Sequence, residues 1–459
     1  MIQAIQLILS LSFLVLIHEL GHFTFARIFK VRVEKFYMFF NPWMSLVRMK
    51  KFDGKWHVKF FAKNEDEEWD QHPDSTEWGI GWLPFGGYCA IGGMVDETHT
   101  TEDLGKEVQP WEFRSKPAWQ RMLIILGGIM VNFLGALVIY WMLLWQYGKD
   151  TMPISVYQDG FYYPEYFVEE GFQQQDKILT INGEEPREMG DILWKIIIDD
   201  KRDVQVLRGT DTVNITISDD FINHYFTINK DAAPENLLTP WIPSVLDTVH
   251  ADFPAMRAGL QAGDRIVSVG GVLTPSYTQM VQQLKKHPCD SVTIAYYRGE
   301  VLDSVRVFLN DECKLGVQAR MDFQPVHTSY SFFRALPAGV KFGSNVLAKY
   351  VRQFRVIFTN ANAAQSVGGF GTIGSMFPSQ WSWQAFWSMT AFLSIILAFM
   401  NFLPIPALDG GYVLFLLWEM ITRRKPSDRF LEIANKIGFW LLLAILILAN
   451  LNDIKRFFF

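Results

Sequence analysis

Met122 to Tyr147 is a run of 26 residues without a charged side chain, and that run limits the fold more than any short motif does. Wound as an α-helix at ~1.5 Å per residue, it covers the ~30 Å hydrocarbon core of a bilayer. Backbone in that medium must satisfy its own hydrogen bonds, so a helix is the state the run predicts. Three other stretches share its character. Residues from about 2 to 29 are apolar apart from one polar cluster. Trp381 to Leu408 is uncharged and continues past Asp409 to Trp418. Ile437 to Asn452 is a shorter apolar run between Lys436 and Asp453. The expected fold class is a polytopic α-helical membrane protein with four transmembrane helices, at 1–30, 118–148, 381–421 and 430–455. Hydrophobic residues make up only 49% of the 459 positions, so the spans share the chain with soluble parts, and the length leaves room for two to four domains. The net charge of −6 mixes both signs without a basic stripe, which argues against nucleic acid as a partner. No basic region opens the chain and no small-residue cleavage site precedes His18, so the first segment is expected to remain as a span.

Lys and Arg set the expected orientation. Arg27, Lys30 and Arg32 follow the first span, Arg114, Lys116 and Arg121 precede the second, and Arg423, Arg424, Lys425 and Arg429 separate the third from the fourth. In a four-span arrangement all three clusters fall on one side, which the positive-inside rule makes cytoplasmic. Both termini and the long region 148–380 then lie outside.

The polar cluster of the first span reads His18-Glu19-Leu20-Gly21-His22. H-E-x-x-H places two imidazoles one turn apart on one helix face, spaced to share a metal ion, with a carboxylate beside the first. Each ionisable group in a span costs about 2.5–3.5 kcal/mol on insertion scales, so three together call for a function. The alternative is a polar cluster that joins helices by hydrogen bonds. Two imidazoles leave a catalytic zinc short of a third protein ligand. Between Trp381 and Thr422 the only carboxylates are Asp409 and Glu419. Glu419, beside Trp418 and near Arg423, suits an interfacial anchor. Asp409 lies between Pro404-Ile405-Pro406 and Gly410-Gly411, where Pro and Gly break the helix and can aim a side chain into a cavity. His18, His22 and Asp409 are therefore the candidate metal ligands, Zn2+ the expected cofactor, and Glu19 the candidate general base. Asn401, an amide on the same span as Asp409, is the candidate for donating to an oxyanion or holding substrate. Asn132 is a weaker one, because a lone Asn in a span often serves helix contact. The remaining His, such as His57, His72 and His99, have no ligand spacing.

Between the first two spans, residues 31–117 form an expected membrane-associated β-hairpin region on the cytoplasmic side. Trp56, Val58 and Phe60 alternate with His57, Lys59 and Phe61 as in a strand. Asn64 to Glu77 is acidic and reads as a solvated excursion. Pro84-Phe85-Gly86-Gly87-Tyr88 is too apolar and Gly-rich for an ordinary linker, which places Gly86, Gly87 and Tyr88 at the mouth of the catalytic cavity as candidate substrate contacts. In the outer region, Ala258-Gly259-Leu260-Gln261-Ala262-Gly263-Asp264-Arg265-Ile266 resembles the signature of a circularly permuted bacterial PDZ domain, and Asp176 to Gly183 resembles a weaker copy. The expectation is two tandem PDZ domains, 149–240 and 241–320, which bind extended peptide at a sheet edge or serve only as packing. An amphipathic helix over 330–364 is expected on the outer membrane surface, and the Gly-rich 366–378 as a bend. Of three cysteines, Cys89, Cys289 and Cys313, the last two either pair in an oxidising compartment or stay as separate thiols.

His18-Glu19-x-x-His22, Asn401-x-x-Pro404-x-Pro406-x-Leu408-Asp409-Gly410 and the PDZ-like repeats between them, together with Pro84-x-Gly86-Gly87-Tyr88, run the length of the chain. In this combination the chain resembles the site-2 protease family of intramembrane zinc metalloproteases, and within it the bacterial RseP-type branch. The resemblance implies zinc on His18, His22 and Asp409, Glu19 as base, and Asn401 as the substrate-holding residue. It further implies a bacterial inner-membrane location with periplasmic PDZ domains. The implied substrates are single-span membrane proteins cut within the bilayer: an anti-sigma factor after a first protease has trimmed it, and remnant signal peptides. A PDZ-bearing scaffold with an inactive metal site is the alternative, and intact Glu19 and Asp409 speak against it.

Overall fold

The computed structural model describes residues 1–64, 66–84, 86–94, 107–228, 238–287, 290–309, 314–359 and 368–458. Phe85, His99, Cys289 and Cys313 lie outside the described residues. Six helices carry the architecture: α1 (Ile2–Ile28), α2 (Ala118–Tyr147), α3 (Phe332–Thr359), α4 (Trp383–Phe402), α5 (Asp409–Thr422) and α6 (Asp428–Phe458). By length and composition α1, α2, α4 and most of α6 can cross a membrane, as the uncharged runs predict. The third span is two helices, parted where Pro404 and Pro406 remove backbone donors. The chain folds as two compact units, one built from 1–148, 329–355 and 368 onward, the other from 149–328.

In the first unit α1 and α2 touch backbone to backbone. A Cβ on Gly21 would lie 2.3 Å from the carbonyl oxygen of Gly127, and one on Gly127 2.7 Å from that of Gly21. Small residues at a crossing permit this approach where apolar solvent offers no hydrophobic drive. On its far side α2 packs against α4 through Ala136, Tyr140, Ala391 and Ile395. The apolar stripe of α3 packs on α2 and α4. Its Gly339 abuts the backbone of Trp141 in α2, Gly343 abuts Leu137, and Tyr350 meets the ring of Phe399 in α4 at 5.6 Å. Residues 370–375, expected as part of a bend, form a helical turn whose Thr372 amide donates to Asp453 of α6 at 3.0 Å.

Between α1 and α2 stands a five-stranded sheet: β1 (Val33–Met38), β2 (Met44–Phe52), β3 (Lys55–Lys63), β4 (Glu77–Ile80) and β5 (Tyr88–Ile91), in the order β3-β2-β4-β1-β5. Strand alternation sends Phe36, Trp78 and Cys89 to one face, where Phe36 and Trp78 pack on Phe23 of α1 with ring centres 5.7 and 4.9 Å away. The opposite face carries Tyr37, Arg48, Lys50, Glu77 and Tyr88, all hydrogen-bonded. Here the expectation of a solvated excursion over 64–77 holds only in part: Glu67, Glu68, Asp70 and Asp74 are exposed, but the segment is anchored. Trp69 is fully buried under Arg48, Lys50 donates to its carbonyl at 2.7 Å, and Asp66 takes a hydrogen bond from Lys59. The acidic residues answer the cations of β2 and β3, and the segment roofs the sheet.

The second unit contains a repeated build. Asp176 is buried and takes both guanidinium nitrogens of Arg208, at 2.9 and 2.7 Å, and the amide of Gln173 at 2.8 Å, while Arg208 also reaches the Gly171 carbonyl. Asp264 does the same with Arg298, at 2.8 and 2.7 Å, with the amide of Gln261 at 2.8 Å and with the Gly259 carbonyl. The strands Lys177–Ile181 and Arg265–Val269 each carry a bulge at the same place, Ile178/Thr180 and Ile266/Ser268. Each repeat keeps its own core, around Phe167, Ile181 and Val206 in the first and Leu260, Ile294 and Leu309 in the second. The division at 240 and 320 is incomplete, because strand Val326–Thr328 pairs with Lys149–Thr151. The first module is thus finished by chain that follows the second.

Candidate metal centre

Helix α1 presents His18 and His22 one turn apart, and the α4–α5 break presents Asp409 to both. The break is tightly wound. A Cβ on Gly410 would meet the Leu403 carbonyl at 2.2 Å and one on Gly411 that of Ile405 at 2.5 Å, while Ala407 sits at φ +72° with its amide donating to Asn435 of α6. These contacts explain the Gly-Gly after Asp409 and leave its carboxylate at the first residue of α5, aimed at α1.

The three candidate ligand atoms form a near-regular triangle. His18 Nε2 lies 3.2 Å from Asp409 Oδ2, His22 Nε2 3.5 Å from the same oxygen, and the two Nε2 atoms 3.2 Å from each other. Ligand bonds of ~2.0–2.2 Å at tetrahedral angles put donor atoms about 3.3–3.5 Å apart. The residues present therefore fit a tetrahedral zinc ion with a fourth position open. Asp409 Oδ2 is buried with no hydrogen-bond donor, an arrangement that costs free energy unless a cation answers it. His22 donates its Nδ1–H to the Ile124 carbonyl of α2 at 2.9 Å, which leaves the Nε2 lone pair facing the triangle, the orientation that metal-binding imidazoles take from their outer partners.

Other predicted residues divide. Glu19 lies next to His18 on α1 and is half-buried. Asn401 Nδ2 stands 3.5 Å from His18 Nε2, at the edge of the triangle. Gly87 passes α1 at Val15, with a would-be Cβ 3.0 Å from its side chain, so the backbone at Gly87 runs beside the turn before His18. Tyr88 turns the other way. Its ring stacks on Tyr37 at 5.3 Å, its hydroxyl donates to Asn41 at 2.9 Å, and burial with the Glu77 carboxylate nearby pushes its phenol up to about 12. Its side chain belongs to the sheet's polar network. Glu419 is no interfacial anchor: its carboxylate pairs with Arg121 of α2, and both are largely buried.

The sequence ranked one participant, Asn132, below Asn401 and passed over another, Gly128. Asn132 Nδ2 lies 3.1 Å from His18 Nδ1, and a Cβ on Gly128 would fall 2.5 Å from His22 Nε2. The signal was Gly127-Gly128-x-x-x-Asn132 within an otherwise large-residue span, a small-residue pattern that marks close helix approach.

Comparison with known proteins agrees with this geometry. The model of peptidase family M50 matches residues 6–62 and 68–445. The chain is 25% identical to the regulator of sigma E protease of Haemophilus influenzae, with 98% of each chain covered. It is 24% identical to a Vibrio cholerae protein named as a zinc metalloprotease, again over 98% of each. With the regulator of sigma-E protease RseP of Escherichia coli K12 it shares 26% identity over 98% of this chain and 97% of that one. Four helices long and apolar enough to cross a membrane, a His18–His22–Asp409 triangle that could hold a metal ion and a family match across nearly the whole length have one reading: the chain belongs to peptidase family M50 and is a membrane metalloprotease of the site-2 kind.

Proposed function

We propose that His18, His22 and Asp409 hold the zinc ion, that Glu19 is the general base, and that the substrate is the transmembrane segment of a single-span membrane protein. The ligand triangle, with its edges of 3.2, 3.2 and 3.5 Å, carries the reading. When bound, zinc supplies a Lewis acid for the scissile carbonyl and brings the pKa of an attached water to about 7. The Glu19 carboxylate takes the proton of the attacking water and passes it to the leaving amine. Asn401, at the rim, donates its amide to the carbonyl oxygen or to the substrate strand. Gly86 and Gly87 contribute bare backbone beside α1, suited to hydrogen bonds with an extended substrate chain.

The β region supports a site at membrane depth. The sheet face that packs Phe36 and Trp78 onto α1 continues through Met49, Val58 and Phe60, of which Val58 is 48% and Phe60 67% exposed. A contiguous apolar face running outward from a spanning helix suits lipid better than water. The basic clusters favour a cytoplasmic side for this sheet and a periplasmic side for the two repeats, in a bacterial inner membrane. The repeats, read as PDZ domains, would exclude substrates with bulky outer domains or bind peptide by strand addition. An anti-sigma factor already trimmed by a first cut, or a remnant signal peptide, fits such a site.

The test compares the purified chain with Glu19→Gln, measuring bound zinc and cleavage of a labelled single-span peptide in bilayers. Glu19→Gln should retain zinc and lose proteolysis. Loss of zinc from that variant, or near-normal turnover, overturns the assignment.

A further inference from the structure

Three positions of α2, each four residues from the last, face the two imidazoles. The Ile124 carbonyl accepts the Nδ1–H of His22 at 2.9 Å. Gly128 leaves open the space where a Cβ would stand 2.5 Å from His22 Nε2 and 2.7 Å from His18 Cε1. The Asn132 amide stands 3.1 Å from His18 Nδ1. His22 thereby has one defined tautomer, with its proton on Nδ1 and its lone pair on Nε2. For His18 to match it, Nδ1 needs an acceptor. Asn132 is fully buried, its Oδ1 has no hydrogen-bond partner, and its main-chain carbonyl is held by Ser394 Oγ at 2.7 Å. A half-turn of its amide exchanges nitrogen for oxygen at the same place, since the two ends are alike in size.

Resting on the metal-site reading above, we propose that Asn132 is the positioning residue of His18: its Oδ1 accepts the Nδ1–H and so holds the Nε2 lone pair toward the metal. One stripe of α2 then orients both imidazoles, Ile124 through its main chain and Asn132 through its side chain. Asn132 touches neither substrate nor metal.

The test is zinc affinity of the full chain in detergent, by competition with a chromogenic chelator, for the parent, Asn132→Leu and Asn132→Asp. Outer partners of metal-bound histidines are typically worth about 10–100-fold in affinity. Asn132→Leu, which keeps the branched outline with somewhat more bulk and loses the acceptor, should bind that much more weakly, and Asn132→Ala, which loses the acceptor without added bulk, should do the same. Asn132→Asp, which keeps an acceptor oxygen, should stay near the parent. A packing role predicts the reverse order, because Leu is tolerated among helices and a buried carboxylate is not. Parent-like affinity in Asn132→Leu, or equal loss in both variants, overturns the proposal. If Asn132→Leu does not fold, Asn132→Ala is read in the same way. A parent that binds no zinc would instead sink the metal-site reading itself.

Discussion

Gly128→Ala is the sharpest perturbation the site offers, because it adds a single methyl group where the two imidazoles meet. The new Cβ would lie 2.5 Å from His22 Nε2 and 2.7 Å from His18 Cε1, against an ordinary separation of ~3.5–4.0 Å. Roughly 0.8–1.5 Å of overlap must be removed by that count. Neither ring can yield freely, since His22 is tied to Ile124 at 2.9 Å and α1 touches α2 through Gly21 and Gly127. Metal ligands tolerate displacements of only about 0.2–0.5 Å. Overpacking of this kind costs ~1–3 kcal/mol, and 1.4 kcal/mol is tenfold in affinity, so zinc should bind about 5–150-fold more weakly. The assay is chelator competition on the purified variant, with Gly135→Ala as the control. Gly135 lies on the same helix, where a Cβ meets only the tip of Ile17 at 3.2 Å, and that variant should keep parent affinity. Zinc binding in Gly128→Ala within twofold of the parent would refute the reasoning, as would equal losses in the two variants.

Asp409→Ala removes one corner of the triangle and should lower zinc occupancy together with activity; full occupancy with normal turnover would take Asp409 out of the site. Membrane-impermeant thiol reagents should label a cysteine placed near Asp264 from outside and miss one near Arg424; the opposite pattern would reverse the orientation. Arg298→Ala strands the buried Asp264 carboxylate and should lower the unfolding midpoint of the second repeat. An unchanged midpoint would show that the carboxylate finds other partners.

The triangle of candidate ligands was legible because charge in an apolar run is anomalous wherever the run goes: His18, His22 and Asp409 stand out with no knowledge of packing. The Pro-Gly break around Asp409 was legible for the same local reason. Gly128 was not, and Asn132 stood only as a weaker candidate, since their meaning depends on where α2 crosses α1. Glu419 was misjudged because its partner, Arg121, lies 298 residues away in sequence. The 64–77 segment misled in part by composition: several acids are solvated as they looked, but only the tertiary fold buries Trp69, with Lys50 on its carbonyl and Lys59 on Asp66. Gly86, Gly87 and Tyr88 were placed together at the cavity mouth by their apolar context; Gly87 does pass α1, whereas the facing of Tyr88 follows from strand register, which that loop sequence does not reveal.

The pairing of Lys149–Thr151 with Val326–Thr328 has a practical corollary. Lys149 lies directly across from Thr328, so the chain enters and leaves its outer part through two strands about 5 Å apart. Everything from 150 to 327 is in effect a cassette on a two-stranded stem, and a two-residue turn can close the gap its excision leaves. A cut at 318 would instead abandon Val326–Thr328 without its partner and expose a raw strand edge. Whole-cassette exchange, with another folded domain or none, therefore lets the proposed gatekeeping of this unit be varied while the helices that carry His18, His22 and Asp409 keep their own connections.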